Sequence, residues 1–163
     1  FTWMLVTTSW GHPDDSLILC QNKTDLFDVP EKTRIAVVVV VHRQQVLVGK
    51  RTNTASTAKG FHEFPGGKLE GGECASSAAV RECLEETGLH ISIERQLDST
   101  FTDEGHFEIV FFLGALKPSI YPEPREPFKW LARAELDLCT FPAANKSVVK
   151  WLRDSISTSQ GGS

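Results

Sequence analysis

Three glutamates within five residues are the side chains best suited to carry chemistry. Glu82, Glu85 and Glu86 stand at positions i, i+3 and i+4, so a helix presents all three on one face. Carboxylates gathered in this way suit a hard divalent cation such as Mg²⁺, which proteins hold through one or two carboxylates together with substrate phosphates. A solvent-exposed acidic helix face would show the same spacing, and there the like charges would only repel one another.

An arginine and a fourth glutamate accompany this group. Arg81 precedes the first carboxylate and can pair with Glu85 one helical turn later, or reach back to Glu73. We interpret Arg81 as the residue that orients the metal ligands from outside the coordination shell. The glycine pairs at 66–67 and 71–72 predict a tightly bent loop that brings backbone groups close to a phosphate or a metal ion.

Small residues predict how this helix packs and where it ends. Cys83 shares the opposite face of the helix with Ala75, Ala78 and Ala79, so we expect the helix to lie close against a sheet. Gly88 suits the position after the last helical turn, where the backbone usually adopts a left-handed conformation.

The segment from Gly67 to Leu89 follows one fixed pattern. It reads Gly67, five residues, Glu73, seven residues, Arg81-Glu82, an apolar residue, any residue, Glu85-Glu86, any residue, Gly88 and an aliphatic residue. The chain therefore resembles the Nudix pyrophosphohydrolases, whose signature has these positions. The resemblance implies an α/β fold of the Nudix type, an α/β/α sandwich with a mixed β-sheet. It also implies Mg²⁺ as cofactor, with Mn²⁺ as the alternative metal.

Two flanking motifs resemble the MutT branch of this family. They are Glu63-Phe64-Pro65-Gly66-Gly67-Lys68 before the helix and Phe141-Pro142-Ala143-Ala144-Asn145 near the end of the chain. That branch removes pyrophosphate from nucleoside triphosphates, including the oxidised 8-oxo-dGTP. The resemblance spans residues 34–156, so we expect the Nudix domain there, an N-terminal extension over residues 1–33 and a flexible tail over residues 157–163.

The resemblance assigns roles to residues at matching positions. Glu126, or Glu123 in its place, would be the further glutamate that joins the metal site from the loop before the Trp-bearing strand, although either could be an ordinary surface carboxylate. The roles that the resemblance implies are catalysis for Glu82, Glu85, Arg81, Glu73 and Glu126, metal binding for Gly66, Gly67, Glu82, Glu85, Glu86 and Glu126, and substrate contact for Arg51, Phe64, Lys68 and Asn145.

Asn145 occupies the position at which the MutT branch reads the base. A carboxamide offers a donor beside an acceptor. The O6 and N7 atoms of guanine are both acceptors, whereas N7 of 8-oxoguanine carries a hydrogen, so the oxidised base complements the carboxamide. Phe64 would pack on the ring. Helix capping by Asn145 is the alternative.

Composition limits the class of protein. The chain has 163 residues and a net charge of −4, which favours one domain and argues against binding of polymeric nucleic acid. The four cysteines show no metal-ligand spacing, and two of them, Cys74 and Cys83, fall inside the predicted helix, which favours reduced thiols. Because no apolar run reaches membrane-spanning length and the start is a poor signal peptide, we expect a cytoplasmic protein. The oligomeric state stays open.

The order of predicted elements also favours a sheet between helices. Strands are predicted at residues 34–42, 46–51, 61–64, 90–93, 107–116 and 128–131, and an amphipathic helix at residues 142–156 with Val148, Val149, Leu152 and Ile156 on one face. Residues 52–60 predict a loop that faces the substrate or only the solvent. In residues 1–33, short strands near Trp3 and Leu17 flank a polar turn with His12, Asp14 and Asp15, which could also be a metal cluster.

Three functions compete on this sequence. The first is a pyrophosphohydrolase that removes 8-oxo-dGTP from the nucleotide pool. The second is a Nudix enzyme for another substrate, such as CTP, a methylated dCTP, a nucleotide sugar or a dinucleoside polyphosphate. The third is a Nudix domain that senses a nucleotide without hydrolysing it. The complete set of carboxylates argues against the third, because a sensor does not need them.

Overall fold

The computed structural model describes residues 32–52, 59–102, 105–118 and 122–157. The predictions for the strands near Trp3 and Leu17 and for the His12, Asp14 and Asp15 turn lie outside the described residues. Of the predicted tail at residues 157–163, Ser157 is instead the last residue of a helix, and residues 158–163 lie outside the described residues. Most of the predicted loop at residues 52–60 lies outside them as well. Thr33, which the sequence assigns to the extension, is the first residue of a strand.

The described residues form strands, two α-helices and short 3₁₀ helices. The strands are β1 (Thr33–His42), β2 (Gln45–Lys50), β3 (His62–Glu63), β4 (Gly66–Lys68), β5 (Ile91–Phe101), β6 (Phe107–Leu116) and β7 (Phe128–Ala132). The helices are α1 (Ala75–Thr87) and α2 (Lys146–Ser157), and the 3₁₀ helices are Arg133–Leu138 and Ala143–Asn145. None of the described helices is both long and apolar enough to cross a membrane.

Strand β1 is the centre of a mixed sheet. The strand order is β3-β2-β1-β6-β5, with β4 paired to β1 and β7 paired to β2. Strands β1 and β6 run parallel, while the other described pairs are antiparallel. The β-branched run that predicted a central strand is therefore paired along both of its edges, which suits a strand buried on both faces.

Alternating residues of β1 separate the two helical layers. Val38 and Val40 belong to the core cluster that includes the buried face of α1, whereas Val39 belongs to the cluster that includes the buried face of α2. Successive side chains of a strand point to opposite faces, so the helices cover the two sides of one sheet. The predicted α/β/α sandwich with a mixed sheet is confirmed.

A tight hairpin connects β1 to β2. Val41 pairs with Val46, and His42 pairs with Gln45. The two loop residues, Arg43 and Gln44, have φ values of 48° and 65°, as a type I′ turn requires. Strand β2 begins at Gln45, one residue before the strand predicted from residue 46.

Two local predictions were wrong. Gly66 and Gly67 were expected in a bent loop, but they lie in strand β4 beside Ala36 and Val37 of β1. A Cβ atom at Gly66 would lie 2.4 Å from the carbonyl oxygen of Ala36, so the glycine serves a close approach of strands and not a turn. Cys74, expected inside the helix, is the extended residue before it.

The fifth strand is much longer than its sequence pattern. The sequence predicted residues 90–93, whereas β5 extends from Ile91 to Phe101 and pairs with β6 through two irregularities in register. It lies at the edge of the sheet, and its later residues are largely polar and partly exposed. An edge strand that faces solvent does not need an apolar run, so the apolar pattern covers only the first part of β5.

The last helix begins later than predicted. Residues Ala143–Asn145 form a 3₁₀ turn, and α2 starts at Lys146. Val148, Val149 and Leu152 are buried as the pattern predicted, while the side chain of Ile156 lies outside the described residues. Asn145 therefore sits at the junction between the 3₁₀ turn and the α-helix.

Candidate active site

Helix α1 presents its small face to the sheet and its acidic face to the site. Ala78, Ala79 and Cys83 are fully buried against the sheet. Burial raises the pKa of the Cys83 thiol to about 11, so this thiol is a packing group. The helix ends at Gly88, whose φ of 75° is left-handed and whose N–H donates to the carbonyl of Leu84 at 2.9 Å.

Arg81 binds the carboxylates on both of its sides. Its Nε and Nη2 atoms each donate to Glu73 at 3.0 Å, which is a two-pronged pair. Its Nη1 atom donates to Glu82 at 2.8 Å and to Glu85 at 3.2 Å, and Nη2 also reaches the carbonyl of Lys68 at 3.1 Å. Arg81 thus makes both of the contacts expected from the sequence, and its side chain is only 22% exposed.

This pairing shifts the pKa values of Glu73 and Arg81 in opposite directions. The hydrogen bonds from Arg81 lower the pKa of Glu73 below its usual value. The same bonds, with those to Glu82, raise the pKa of Arg81 itself. Both shifts favour the charged forms, so the arginine and Glu73 form a fixed ionic frame beside the other carboxylates.

Glu86 faces the opposite direction, toward strand β4. Its carboxylate accepts a 2.9 Å hydrogen bond from the N–H of Gly66. Burial raises the pKa of Glu86 to about 7, and the negative charges of Glu82 and Glu63 add to this rise, whereas the Gly66 N–H and the charge of Arg51 oppose it. A cation at this position would relieve the repulsion among the carboxylates.

Gly67 makes room for Glu82. A Cβ atom on Gly67 would lie 2.3 Å from both the carboxyl carbon and Oε1 of Glu82. The carboxylate therefore occupies the space that any side chain at position 67 would fill. Since Glu82 is 16% exposed, the strand and the helix together hold this carboxylate in a narrow site.

The chemistry of these groups fits a divalent metal. Glu82, Glu85 and Glu86 offer oxygen donors on one helix face, with backbone carbonyls of β4 beside them, and hard cations prefer such ligands. In the structure the side chains turn toward Arg81 and the Gly66 amide. Among the described residues, no three His, Cys, Asp or Glu side chains are arranged to hold a metal ion, so binding would require these carboxylates to turn away from their present partners.

The loop before β7 is attached to the end of α1. The N–H of Arg125 donates to the carbonyl of Thr87 at 2.9 Å, and its Nη1 atom donates to the carbonyl of Glu85 at 3.3 Å. Trp130 holds the start of the loop through a 2.6 Å bond to the carbonyl of Pro122. Glu123 and Glu126 are both exposed, and neither forms an ion pair or hydrogen bond with a described residue of α1.

The motif around Asn145 packs on the segment before β4. The rings of Phe64 and Phe141 are stacked with centroids 4.9 Å apart, and Phe64 is buried as part of the core. Asn145 is also buried, and its N–H donates to the carbonyl of Pro142 at 3.0 Å. Phe64 lies two residues before Gly66, so this stack connects the Asn145 motif to the carboxylate site.

Lys68 and Arg51 lie at different edges of this region. The ammonium of Lys68 stands over the ring of Phe107, 5.8 Å from its centre. Arg51 forms an ion pair with Glu63, and both side chains are partly exposed. The positive charge of Arg51 also acts to lower the pKa of Glu86, so Arg51 exerts an electrostatic influence on the helix carboxylates.

Comparison with known proteins identifies the family. The NUDIX domain matches residues 32–152. The chain belongs to the Nudix family. The 8-oxo-dGTP diphosphatase of Escherichia coli (strain K12) is 31% identical over 128 residues, which are 76% of this chain and 98% of that protein. A putative 8-oxo-dGTP diphosphatase of Bacillus subtilis (strain 168) is 30% identical over 118 residues, covering 69% and 74%.

The fold has solved relatives as well. A structure from the study of MutT from Aliivibrio salmonicida and Vibrio cholerae matches with a TM-score of 0.58 and 27% identity, covering 76% of this chain and 98% of that one. The resemblance to the MutT branch is thereby confirmed. As a Nudix hydrolase, the protein acts on phosphoanhydride bonds, and enzymes of this family act on nucleotides and generally use a divalent metal such as Mg²⁺.

Sequence reasoning gave no role to three residues of this Nudix hydrolase that lie beside its candidate site. Glu63 pairs with Arg51 and faces Glu86, Arg125 attaches the Glu126 loop to α1, and His62 bonds to Thr140. Glu63 is the first residue of the Glu63–Lys68 motif, so the sequence contained a signal for its role at the site. Arg125 and His62 act through contacts between segments that are distant in the sequence, and no local sequence pattern predicts such contacts.

Proposed function

We propose that this Nudix hydrolase converts a nucleoside triphosphate to a nucleoside monophosphate and pyrophosphate, and that it prefers 8-oxo-dGTP to dGTP. The observation that carries the preference is the environment of Asn145. This residue is 9% exposed, yet its carboxamide is hydrogen-bonded to none of the described residues. Its polar atoms are not among the fully buried atoms that lack a partner in the described residues, so the carboxamide reaches solvent and is open to a ligand.

The capping alternative is therefore weak. A capping asparagine accepts a hydrogen bond from a backbone N–H two or three residues later. Asn145 directly precedes α2, but its side chain accepts no hydrogen bond from a backbone N–H of the described residues, and its own backbone N–H donates to Pro142. The donor and acceptor of the carboxamide remain available to a ligand, and the 8-oxoguanine edge presents the complementary pair. Relatives described as 8-oxo-dGTP diphosphatases agree with this proposal.

The reaction follows from the carboxylate site. Water attacks the β-phosphorus, the bond from that phosphorus to the oxygen bridging to the α-phosphate breaks, and the nucleoside monophosphate leaves. Mg²⁺ held by Glu82, Glu85 and Glu86, with the carbonyl of Gly66 or Gly67, would neutralise phosphate charge and make water easier to deprotonate. Arg81 and Glu73 hold the helix carboxylates in place, and a carboxylate of this group, or Glu126 from the loop, accepts the proton from water.

The remaining assigned residues would bind substrate. Arg51 stands beside Glu86 and Glu63, so its guanidinium is suited to pair with a phosphate that enters the site. Lys68, on strand β4, offers a second cation. Phe64 lies beneath the stacked Phe141 ring, so its contribution is to support the base-binding segment from the core.

The test is a panel of nucleotides with Mg²⁺, in which pyrophosphate and phosphate release are measured separately. We expect pyrophosphate release, with a lower KM for 8-oxo-dGTP than for dGTP. Asn145→Ala should erode this difference with little change in kcat, because a site that reads hydrogen bonds rejects the analogue that cannot make them. Lys150→Ala, an exposed change in the adjoining helix α2, is the control.

Equal kcat/KM for 8-oxo-dGTP and dGTP in the intact protein would contradict the proposed preference. Faster turnover of CTP, a nucleotide sugar or a dinucleoside polyphosphate would identify that compound as the substrate. The proposed hydrolysis at the helix carboxylates would be unaffected by this result. Binding of nucleotides without turnover in the presence of Mg²⁺ would contradict the proposed hydrolysis as well.

A further inference from the structure

His62 connects strand β3 to the segment that carries Asn145. The backbone N–H of His62 donates to the carbonyl of Thr140 at 2.7 Å, and the N–H of Thr140 donates to Nδ1 of His62 at 3.1 Å. The imidazole ring also lies 5.9 Å from the ring of Phe141. The side chain thus completes a reciprocal pair of hydrogen bonds in which its Nδ1 atom takes the place of a backbone acceptor.

This arrangement requires one form of the imidazole. Nδ1 accepts a hydrogen bond only when the ring is neutral and its proton is on Nε2. Partial burial lowers the pKa of His62, the contact with the backbone of Thr140 opposes this, and the positive charges of Lys50 and Lys129 lower it further. Lys50 ends β2 and Lys129 lies on β7, so the neighbouring strands favour the neutral ring.

Two contacts attach the start of the segment at residues 140–145 to the region of β3. The first is the His62 pair at Thr140, and the second is the stack of Phe141 on Phe64 at 4.9 Å. The bond from Asn145 N–H to Pro142 lies within the segment itself. Without the side-chain bond to His62, the backbone bond between His62 and Thr140 and the packing of Phe141 on Phe64 and the core would be left to place the start of the segment.

We propose that His62 is a positioning residue that sets the place of the Thr140–Asn145 segment and thereby contributes to the choice between an oxidised and an ordinary guanine. This inference rests on the proposed function. Recognition by a carboxamide demands placement to within a fraction of an ångström, so an attachment five residues away matters to selectivity. Hydrolysis itself depends on the α1 carboxylates, which His62 does not touch in the structure.

The test compares three substitutions at one position. In His62→Asn the side-chain oxygen is bonded to Cγ, as Nδ1 is, so an acceptor remains near Thr140. His62→Gln carries its amide one atom further out, and His62→Leu has no acceptor. The measured quantity is the ratio of kcat/KM for 8-oxo-dGTP to kcat/KM for dGTP. We expect the ratio to fall by about fivefold or more in the Leu variant, through KM, and to recover in the Asn variant but less so in the Gln variant.

A pH series separates positioning from simple loss of stability. Titration of the metal-site carboxylates affects both nucleotides alike and cancels in the ratio. In the wild type the ratio should fall as pH drops through the lowered pKa of His62, because the imidazolium cannot accept from Thr140. In His62→Asn it should stay constant over the same range. A wild-type ratio that does not change with pH, or an Asn variant that loses as much selectivity as the Leu variant, would overturn the role of His62.

Amide hydrogen exchange distinguishes failure of the positioning role of His62 from failure of the proposed function. The Thr140 N–H should exchange slowly in the wild type and in His62→Asn, and faster in His62→Leu, whatever the substrate is. If the wild type shows no preference for 8-oxo-dGTP, the proposed function fails and the selectivity role falls with it. If the preference exists but Thr140 exchange is the same in all variants, the positioning role alone is wrong.

Discussion

The backbone N–H of Gly66 donates a 2.9 Å hydrogen bond to the carboxylate of Glu86, which lies twenty residues later in the chain. The next residue, Gly67, leaves space for the carboxylate of Glu82. Two adjacent glycines of strand β4 therefore place two carboxylates of helix α1. Their spacing on the helix brings the glutamates to one face, but the neighbouring strand decides where their oxygens lie.

Gly67→Ala should abolish most turnover without unfolding the protein. The new methyl group would meet the end of the Glu82 side chain at about 2.3 Å, and a flexible side chain can move aside where a backbone could not. We expect kcat to fall because Glu82 leaves its place, while the melting temperature changes little. Activity assays with Mg²⁺ and thermal unfolding measure the two effects separately.

Gly71→Ala is the matched control for this prediction. Gly71 is exposed and has no atom within 4 Å of the added methyl group. This variant should keep both its activity and its stability. Normal turnover in Gly67→Ala would show that Glu82 is not needed at the position it occupies here.

Glu86 should make the stability of the metal-free protein dependent on pH. Its pKa is raised from 4.5 to about 7 by burial and by Glu82 and Glu63. A carboxyl group with a raised folded-state pKa contributes stability below its unfolded value, and this stability is lost as pH rises through the folded value. In EDTA, the free energy of unfolding should therefore decrease from about pH 4.5 to above pH 7 on account of this group.

Glu86→Gln removes this dependence while keeping an acceptor for Gly66. At pH 8 in EDTA we expect the variant to be more stable than the wild type by about 1 to 3 kcal/mol, and to have lost turnover by orders of magnitude if Glu86 binds the metal. Denaturant unfolding across the pH range measures the first effect. If the free energy of unfolding depends on pH in the same way in both proteins, the pKa of Glu86 is not raised by its surroundings.

Arg81→Lys should lower kcat although the charge is retained. Arg81 binds Glu73 with two donors and reaches Glu82 and Glu85 with another nitrogen, and a single ammonium cannot reproduce this fork. Groups that orient metal ligands typically contribute about 10- to 100-fold to activity or metal affinity. We expect a loss of that size, together with a higher Mg²⁺ concentration for half-maximal rate.

Arg34→Lys tests whether the effect belongs to the site. Arg34 also pairs with a glutamate, Glu108, but both lie at an exposed part of β1 and β6. Exposed ion pairs contribute little, so turnover and metal dependence should be unchanged. A similar loss in both variants would mean that the Arg81 result reflects general destabilisation.

The sequence predicted those parts of the molecule in which one local pattern carries the information. Strands β1 and β6 are continuous apolar runs because both faces are buried, and α1 has a fixed spacing of carboxylates opposite small residues. The polar half of β5 was missed because an edge strand that faces solvent can have any polar sequence. Gly66 and Gly67 were misread because glycine serves close approach as well as turns.

Contacts between distant segments were beyond the same reasoning. The attachment of Thr140 by His62 joins residues 78 positions apart, and that of Glu85 by Arg125 joins residues 40 positions apart. Neither histidine nor arginine at those positions signals its partner in the sequence. The carboxylates of the site could be named from their spacing, whereas the residues that hold the surrounding segments required the fold.

The loop before β7 offers two candidates for a further carboxylate, and the structure gives a reason to test them as a pair. Trp130 fixes Pro122, and Arg125 is bonded to the end of α1. Glu123 lies between these two attachments, and Glu126 directly follows the second. Both side chains are exposed, so substitution by glutamine should leave the fold intact and report on chemistry alone.

We expect Glu126→Gln to lower kcat far more than it raises KM, because a metal ligand or base acts mainly in the transition state. Glu126 is next to Arg125, whose guanidinium contacts the backbone of Glu85, so its backbone is held near the helix that carries the other carboxylates. Glu123→Gln should be mild and serves as the matched control, since it removes the same charge from the same loop. Steady-state kinetics with the preferred nucleotide decide between them. The reverse ranking would move the role to Glu123, and two mild effects would leave proton transfer to the carboxylates of α1.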